Sequence, residues 1–262
     1  HRSFDKMRRD LQNSDYLIGN LEMVITQDEQ LPSAKAERQP VQLPGSAQGY
    51  ADEKFHAFGL ANNHLLDYFE TGLRDTIKHL DNAGIKHFGA GFDEAEAREP
   101  LIIEDKGVKV GILAYFWNRK SYANLGWYAE DDKHGVALMS KENMTEDIDK
   151  LKKKVDVVVV FAHWGHNYKK VTRTQMELAR HAVNAGADLI IGHGAHMANR
   201  VGLINKVPVV YSIGNFIWDS RGRFSLFKVE KYAFALITRV EFDKNGPARI
   251  TMTPYHNNNH VV

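Results

Sequence analysis

The sequence predicts an α/β fold, and three observations support this prediction. Apolar runs rich in β-branched residues alternate with amphipathic helical patterns through the first two-thirds of the chain. At least five of these runs end in short clusters of Asn, His or Glu. In open α/β sheets, ligands bind just outside the carboxyl ends of the strands. The last third contains shorter runs joined by turn residues, which predicts hairpin-linked strands. We therefore expect two sheets with helices outside, and a (β/α)₈ barrel is the alternative.

The first elements are predicted from the spacing of apolar residues. Phe4, Met7 and Leu11 lie at helical spacing, so residues 1–10 are expected to lie inside an amphipathic helix. A domain rarely begins within a helix, and we therefore expect further sequence before His1. A strand starting near Asp15 follows. Residues 27–54 contain three prolines and two glycines, and they are expected to form a long surface loop.

The middle of the chain predicts four strands, from continuous apolar runs at residues 55–61, 108–116, 155–162 and 188–192. Helices are predicted between them at residues 70–83, 145–154 and 172–185. Asn143 and Glu146 have the spacing of a capping pair for the second helix. Thr172 and Gln175 have the spacing of a capping box for the third helix, which is expected to end at Gly186.

The C-terminal third predicts four strands, at residues 200–204, 207–213, 232–242 and 248–253. Asn205-Lys206 and Asn245-Gly246 are the predicted turns, because these residue types tolerate the backbone conformations of tight hairpins.

Composition limits the possible functions. With 262 residues, of which 43% are hydrophobic, the chain can bury one large core, and we expect a single domain over residues 1–262. The net charge of +1 gives no electrostatic basis for binding nucleic acid. The chain contains no cysteine, which excludes disulfides and zinc–thiolate sites. No apolar run approaches the roughly 20 residues that span a bilayer.

The polar clusters at the predicted strand ends suggest a metal site. Each cluster also has a structural interpretation, because Asn forms turns and a buried His is often simply hydrogen-bonded. Taken together, however, one mixed set of carboxylate, amide and imidazole groups at four strand ends is hard to attribute to chance. The set comprises Glu22, Asn63, His163, His193 and His196. This mixture suits Mn, Fe or Zn better than Ca or Mg, and we expect these side chains and His64 to converge on one cleft. Asn215 is expected to orient a loop instead.

The same strings, in this order, resemble the CapA family of poly-γ-glutamate synthesis proteins within the calcineurin-like metallophosphoesterase superfamily. The resemblance runs from about residue 15 to 220. It rests on Asn20-Leu-Glu22, Leu60-Ala-Asn-Asn-His64 with Asp67, His163-Trp-Gly165 with Tyr168, Gly186-Ala-Asp188, Gly192-His193 with His196, and Tyr211-Ser-Ile-Gly-Asn-Phe216.

The resemblance implies a four-layer α/β/β/α sandwich with a dimetal-type site. It implies that Asn63 and the three histidines are metal ligands and that Glu22 stands where a bridging carboxylate is expected. It also implies that His64 protonates the leaving group, with Asp67 as the second member of the catalytic pair. An opening strand that ends in Gly-Asp is expected to precede the given sequence. Phe69 stands where the family usually has Gly.

Two functions follow from these observations. The first is a metal-dependent hydrolase in which activated water attacks a phosphoryl group while His64 assists the leaving group. The second is a non-catalytic component of polymer assembly or export that binds an anionic polymer such as poly-γ-glutamate. Under either function we expect an extracytoplasmic protein, at the cell surface or anchored to the membrane, that works within a membrane-bound capsule-synthesis complex.

Overall fold

The structure is a computed structural model that describes residues 4, 7–28, 33–35, 39, 41–217 and 234–256. The chain divides into two compact units. The N-terminal unit comprises the described residues of 11–101 and 113–140, and the C-terminal unit comprises those of 1–10, 102–112 and 141–262. No described helix is both long enough and apolar enough to cross a bilayer.

Seven helices are formed by the described residues: α1 (Arg8–Gln12), α2 (Gly45–Asp52), α3 (Phe69–Asn82), α4 (Glu94–Ala97), α5 (Lys120–Ala123), α6 (Lys141–Lys152) and α7 (Arg173–Ala185). Fourteen strands are described: β1 (Leu17–Asn20), β2 (Phe55–Gly59), β3 (Lys86–Phe88), β4 (Ala90–Gly91), β5 (Leu101–Asp105), β6 (Val108–Trp117), β7 (Gly135–Val136), β8 (Leu138–Met139), β9 (Val157–His163), β10 (Leu189–His193), β11 (Val201–Ile204), β12 (Val207–Val210), β13 (Phe234–Asp243) and β14 (Gly246–His256).

The N-terminal unit contains a parallel sheet in the order β1-β2-β3. Strands β1 and β2 end level with each other, since Asn20 pairs with Gly59. Parallel neighbours that end together deliver the residues that follow them to the same edge of the sheet. The strand register therefore brings the segment after Asn20 and the segment after Gly59 close together.

The stretch predicted as one surface loop contains the helix α2, so that prediction was wrong for residues 45–52. Glycine disfavours helices, and Gly45 and Gly49 concealed this one. Tertiary packing overrides the propensity, because Tyr50 packs edge-on against Phe58, with ring centroids 5.0 Å apart. The part of the stretch at residues 29–32, 36–38 and 40 lies outside the described residues.

The larger sheet has the strand order β11-β12-β10-β9-β6-β5, with β8 beside β6. Strand β6 continues from the C-terminal unit into the N-terminal unit at residue 113. Every residue of β9 is buried, as expected for a central strand covered on both faces. Strands β9 and β10 are parallel, and His163 pairs with His193 at their ends. The strand order is open, so the described strands do not form the alternative barrel.

The three helices predicted in the middle of the chain are confirmed as α3, α6 and α7, with one correction. Of the helix predicted over residues 1–10, the described part is α1, which runs from Arg8 to Gln12, and residues 1–3, 5 and 6 lie outside the described residues. Helix α7 begins at a capping box in which Thr172 and Gln175 bond reciprocally, and it ends at Gly186 in the left-handed conformation. Helix α6, by contrast, begins at Lys141 instead of residue 145. Asn143 therefore lies inside the first turn, and the predicted capping pair with Glu146 was wrong.

The C-terminal third forms hairpins as predicted. β11 and β12 are antiparallel and joined by Asn205-Lys206, both at positive φ. β13 and β14 pair over ten register positions, and Asp243 pairs with Gly246, so the turn is Lys244-Asn245, one residue before the predicted Asn245-Gly246. The predicted start of β13 at residue 232 lies outside the described residues. The α/β fold class predicted from the sequence is confirmed.

Candidate functional site

Asn62 joins the two segments that leave β1 and β2. Its Nδ2 donates to the carbonyl of Leu21 at 2.8 Å and to Oδ1 of Asn20 at 3.3 Å. Its own Oδ1 accepts the backbone N–H of His64 at 3.0 Å. Asn20 in turn donates to Oε2 of Glu22 at 3.4 Å. This fully buried amide therefore fixes the backbone at both strand ends and orients the residues around Glu22 and His64.

His64 and Asp67 form a hydrogen-bonded pair in the turn that precedes α3. His64 Nδ1 lies 2.6 Å from Oδ2 of Asp67, so the ring N–H donates to the carboxylate. The side chain of Asp67 is 3% exposed and that of His64 is 19% exposed. Because Nδ1 is occupied by Asp67, Nε2 is the imidazole nitrogen that remains to exchange a proton with a substrate. Asp67 thus holds the ring of His64 in one orientation.

Lys35 forms an ion pair with Asp67 and lies close to His64. Its Nζ lies 2.5 Å from Oδ1 of Asp67 and 3.3 Å from Nδ1 of His64. It also donates to the backbone carbonyl of Asn63 at 2.9 Å. The N–H of Ala34 donates to the carbonyl of Asp67 at 2.7 Å, which holds the lysine segment against this turn. We call Glu22, Lys35, Asn63, His64 and Asp67 the His64 group.

Phe69, two residues beyond Asp67, has φ +54° and is 49% exposed. This left-handed backbone conformation explains why glycine is usual at this position in the family that the sequence resembles. A phenylalanine there stores backbone strain directly beside the His64–Asp67 turn.

In the C-terminal unit, the strand register brings two predicted ligands together. His163 and His193 lie on adjacent parallel strands, and their Nδ1 atoms are 2.9 Å apart. One ring must donate its Nδ1–H to the other. Gly194 follows at φ +100°, and a Cβ at that position would lie 2.9 Å from His163 Nε2. A residue with a side chain would therefore both clash with His163 and be strained at position 194, which explains the glycine there.

The second nitrogen of His193 is suited to a metal. Among the described residues, no hydrogen-bond partner reaches His193 Nε2, although the atom is buried. Burial also lowers the pKa of His193 to about 3, which keeps the ring neutral at physiological pH. A buried, neutral imidazole with an unsatisfied nitrogen fits the requirement of a divalent metal for a lone pair.

His196 is oriented by Asn215. Its Nδ1 donates to Oδ1 of Asn215 at 2.8 Å, which leaves Nε2 unprotonated in the neutral ring. Such a partner fixes the tautomer of a metal-binding histidine. His196 also has φ +57°, a costly conformation for a residue with a side chain. Asn215 was predicted to orient a loop, and its side chain contacts this imidazole. We call His163, His193 and His196, with Asn215, the three-histidine group.

The structure thus places the seven predicted site residues in two groups. Glu22, Asn63, His64 and Asp67 belong to the N-terminal unit, and the three histidines belong to the C-terminal unit. Among the described residues, no three His, Asp or Glu side chains are clustered closely enough to count as a metal site on their own. The convergence of both groups on one cleft stays a prediction.

Sequence reasoning missed Lys35 and Tyr122. The Tyr122 hydroxyl is hydrogen-bonded to the side chain of Asn63, and burial raises the pKa of this tyrosine. Both residues lie in irregular or very short elements, where no periodicity marks them. Their contacts with the His64 group span 28 residues for Lys35 and more for Tyr122, so no local motif could have revealed them.

Comparison with known proteins identifies the family. The sequence matches the bacterial capsule synthesis protein family PGA_cap over residues 1–220. It is 29% identical to the PGA biosynthesis protein CapA of Bacillus subtilis, over 92% of this chain and 61% of that protein. It is 31% identical to the capsule biosynthesis protein CapA of Bacillus anthracis, over 80% of this chain and 52% of that protein. The chain thus spans little more than half the length of these relatives.

The fold also has relatives of known structure. The calcineurin-like phosphoesterase YfkN from Bacillus subtilis superposes with a TM-score of 0.51 at 18% identity, over 81% of this chain and 66% of that one. At this identity the likeness concerns the fold alone. The resemblance stated from the sequence is confirmed: the chain belongs to the PGA_cap family of bacterial capsule synthesis proteins and has an α/β fold of the calcineurin-like phosphoesterase type.

Proposed function

We propose that this protein is a metal-dependent hydrolase of the phosphoesterase type that serves the synthesis of a capsule or of poly-γ-glutamate. The observation that carries the proposal is the hydrogen bond between His64 and Asp67. A carboxylate that holds one imidazole nitrogen and leaves the other for the substrate is the arrangement of a general acid. A site that only binds a polymer does not require it.

The proposed metal ligands are Glu22, Asn63, His163, His193 and His196. The unsatisfied Nε2 of His193 and the orientation of His196 by Asn215 support this assignment. Carboxylate, amide and imidazole donors together suit Mn, Fe or Zn. When bound, such an ion would lower the pKa of a water molecule and withdraw electron density from a phosphoryl group.

The proton needed by the leaving group comes from His64. Asp67 stabilises the protonated imidazole and fixes its orientation, so that Nε2 donates to the leaving oxygen as the ester bond breaks. Lys35 forms an ion pair with the second oxygen of Asp67, which holds the carboxylate in place. After this transfer the imidazole of His64 is neutral and can accept a proton for the next cycle.

The alternative is a non-catalytic binder of an anionic polymer, and one observation favours it. The relatives with clear sequence similarity carry names from polymer biosynthesis, with no reaction attached. Under either function we propose an anionic polymer or a phosphoester as the ligand, an extracytoplasmic location, and work within a membrane-bound synthesis complex.

The test is hydrolysis by the purified chain after loading with Mn²⁺, measured with phosphomonoesters and phosphodiesters that have aryl or alkyl leaving groups. The proposal expects metal-dependent turnover that chelation abolishes. A protein that binds Mn²⁺ stoichiometrically and hydrolyses none of these esters would contradict the hydrolase and favour the polymer binder.

A further inference from the structure

Arg119 is a cation without a carboxylate partner in the neighbourhood of the His64 group. Its guanidinium Cζ lies 5.6 Å from the ring centroid of Trp117 and 5.5 Å from that of Tyr122. No described Asp or Glu oxygen lies within the 4.0 Å of an ion pair, and the residue is only half-buried. Lys35 differs, because Asp67 already neutralises its charge.

The backbone around Arg119 is held by a buried hydroxyl. Tyr128 Oη accepts the N–H of Arg119 at 2.9 Å and donates to the carbonyl of Trp117 at 2.8 Å. Burial raises the pKa of Tyr128 to about 12, so the hydroxyl remains a donor at any physiological pH. The arginine is therefore presented from a fixed backbone, which reduces the entropy lost when it binds a partner.

Tyr122 connects Arg119 to the proposed reaction site. Its hydroxyl is bonded to the side chain of Asn63, one of the proposed ligands, and the charges of Arg119, Asp67 and Glu22 all act on it. The Tyr122 ring lies 5.5 Å from Arg119 Cζ and 5.9 Å from Nζ of Lys35, which is ion-paired with Asp67, so Arg119 adjoins the His64 group. All these residues belong to the N-terminal unit.

We propose that Arg119 is a specificity-determining residue that binds an oxyanion of the substrate, a carboxylate or a phosphate, outside the bond that is cleaved. This inference rests on the proposed function for the location of the site. The planar guanidinium binds such groups through two parallel hydrogen bonds. Arg119 is half-buried beside two aromatic rings and has no described carboxylate within ion-pair distance, so it is suited to such a group. A polymer with a carboxylate on every unit satisfies this requirement.

The test measures binding rather than turnover, by calorimetric titration of the full chain with γ-linked triglutamate. Arg119→Gln should raise the dissociation constant about tenfold, because losing one hydrogen bond to a charged group typically weakens binding by about that factor. Arg119→Lys, which keeps the charge but loses the fork, should recover only part of the affinity. Lys120→Gln is the matched control, because it removes the same charge from the next, exposed residue, and it should change the affinity less than about twofold.

Two further arms distinguish the source of the oxyanion. The N-acetylated tetraamide of the same peptide, in which all four carboxylates are amidated and no charge remains, should bind wild type and Arg119→Gln equally. Inorganic phosphate should compete with triglutamate in the wild type if Arg119 takes phosphate, and it should fail to compete if the site is specific for carboxylate. The thermal midpoint of each variant confirms that it is folded.

The inference is overturned if Arg119→Gln and Lys120→Gln weaken binding equally, or if neither triglutamate nor phosphate binds the unchanged protein. Failure of the proposed hydrolase is a separate result. If the chain hydrolyses no ester but Arg119→Gln weakens triglutamate binding, the oxyanion site is supported and only the catalytic proposal fails.

Discussion

The His64 group and the three-histidine group use the same side chain in opposite ways. His64 is part of a charged network, with a carboxylate 2.6 Å and an ammonium 3.3 Å from the same nitrogen. His193 is instead buried with another imidazole at 2.9 Å, and burial depresses its pKa to about 3. A carboxylate bonded to one ring nitrogen fixes which nitrogen of His64 can face a substrate, whereas a neutral, dry environment favours a histidine that offers a lone pair.

This difference supports the division of roles that the family resemblance implies and that residue spacing could not separate. Both groups consist of polar residues after apolar strands, and nothing in the spacing distinguishes an acid from a ligand. The environment does, because Asp67 and Lys35 surround His64 while Asn215 and a second imidazole orient His196 and His193. The following predictions test this assignment, from the largest expected effect to the smallest.

The largest effect is expected for His64→Ala acting on alkyl phosphoesters. General acid catalysis contributes typically 10²–10⁴-fold, so kcat should fall by about that factor. Aryl leaving groups depart without a proton, so kcat for esters that carry them should fall little. The measurement is kcat for both ester classes with Mn²⁺ present. An equal loss on both would mean that His64 does not protonate the leaving group.

A smaller effect is expected for Asn215→Ala. The substitution removes the acceptor of His196 Nδ1–H, and loss of such an orienting partner typically costs 10–100-fold in metal affinity. The dissociation constant for Mn²⁺ or Zn²⁺, measured by competition with a chelator, should rise by about that factor. Asn199→Ala, which loses side-chain hydrogen bonds to the backbone of Lys169 and Arg200, is the control and should bind metal normally. Equal affinities in the two variants would show that Asn215 does not support a ligand.

The smallest effect concerns the space beside His163. Gly194→Ala adds a methyl group that would lie 2.9 Å from Nε2 of His163, at a backbone φ of +100°. Gly107→Ala imposes the same kind of backbone strain at φ +76° but meets nothing within 4 Å. The urea-unfolding free energy should therefore fall by at least about 1 kcal/mol more for Gly194→Ala than for Gly107→Ala. Similar losses would mean that the contact with His163 is unimportant.

Most of the fold could be predicted because it depends on local patterns. The apolar runs that became β2, β6, β9 and β10 are continuous, and the capping box before α7 is a four-residue signal. Helix α2 could not be predicted, because its glycines argue against a helix and the packing of Tyr50 that stabilises it involves residues of β2.

The site was predicted in part for the same reason. His163 and His193 end two adjacent strands, and parallel pairing brought them together as expected. Lys35 lies in a proline-rich stretch without periodicity, and Arg119 beside a four-residue helix, so neither carries a local signal. Their positions follow from contacts that tertiary structure alone creates.

The central claim is that the buried histidines hold a metal while His64 handles the proton. The most direct measurement is the metal content of wild type, His193→Ala and His64→Ala, purified in parallel and loaded with Mn²⁺, with His79→Ala from helix α3 as the control. The account predicts that His193→Ala loses the metal, because the site loses a donor, while His64→Ala and His79→Ala retain it. Equal loss from His64→Ala and His193→Ala would make His64 a ligand and contradict the division of roles.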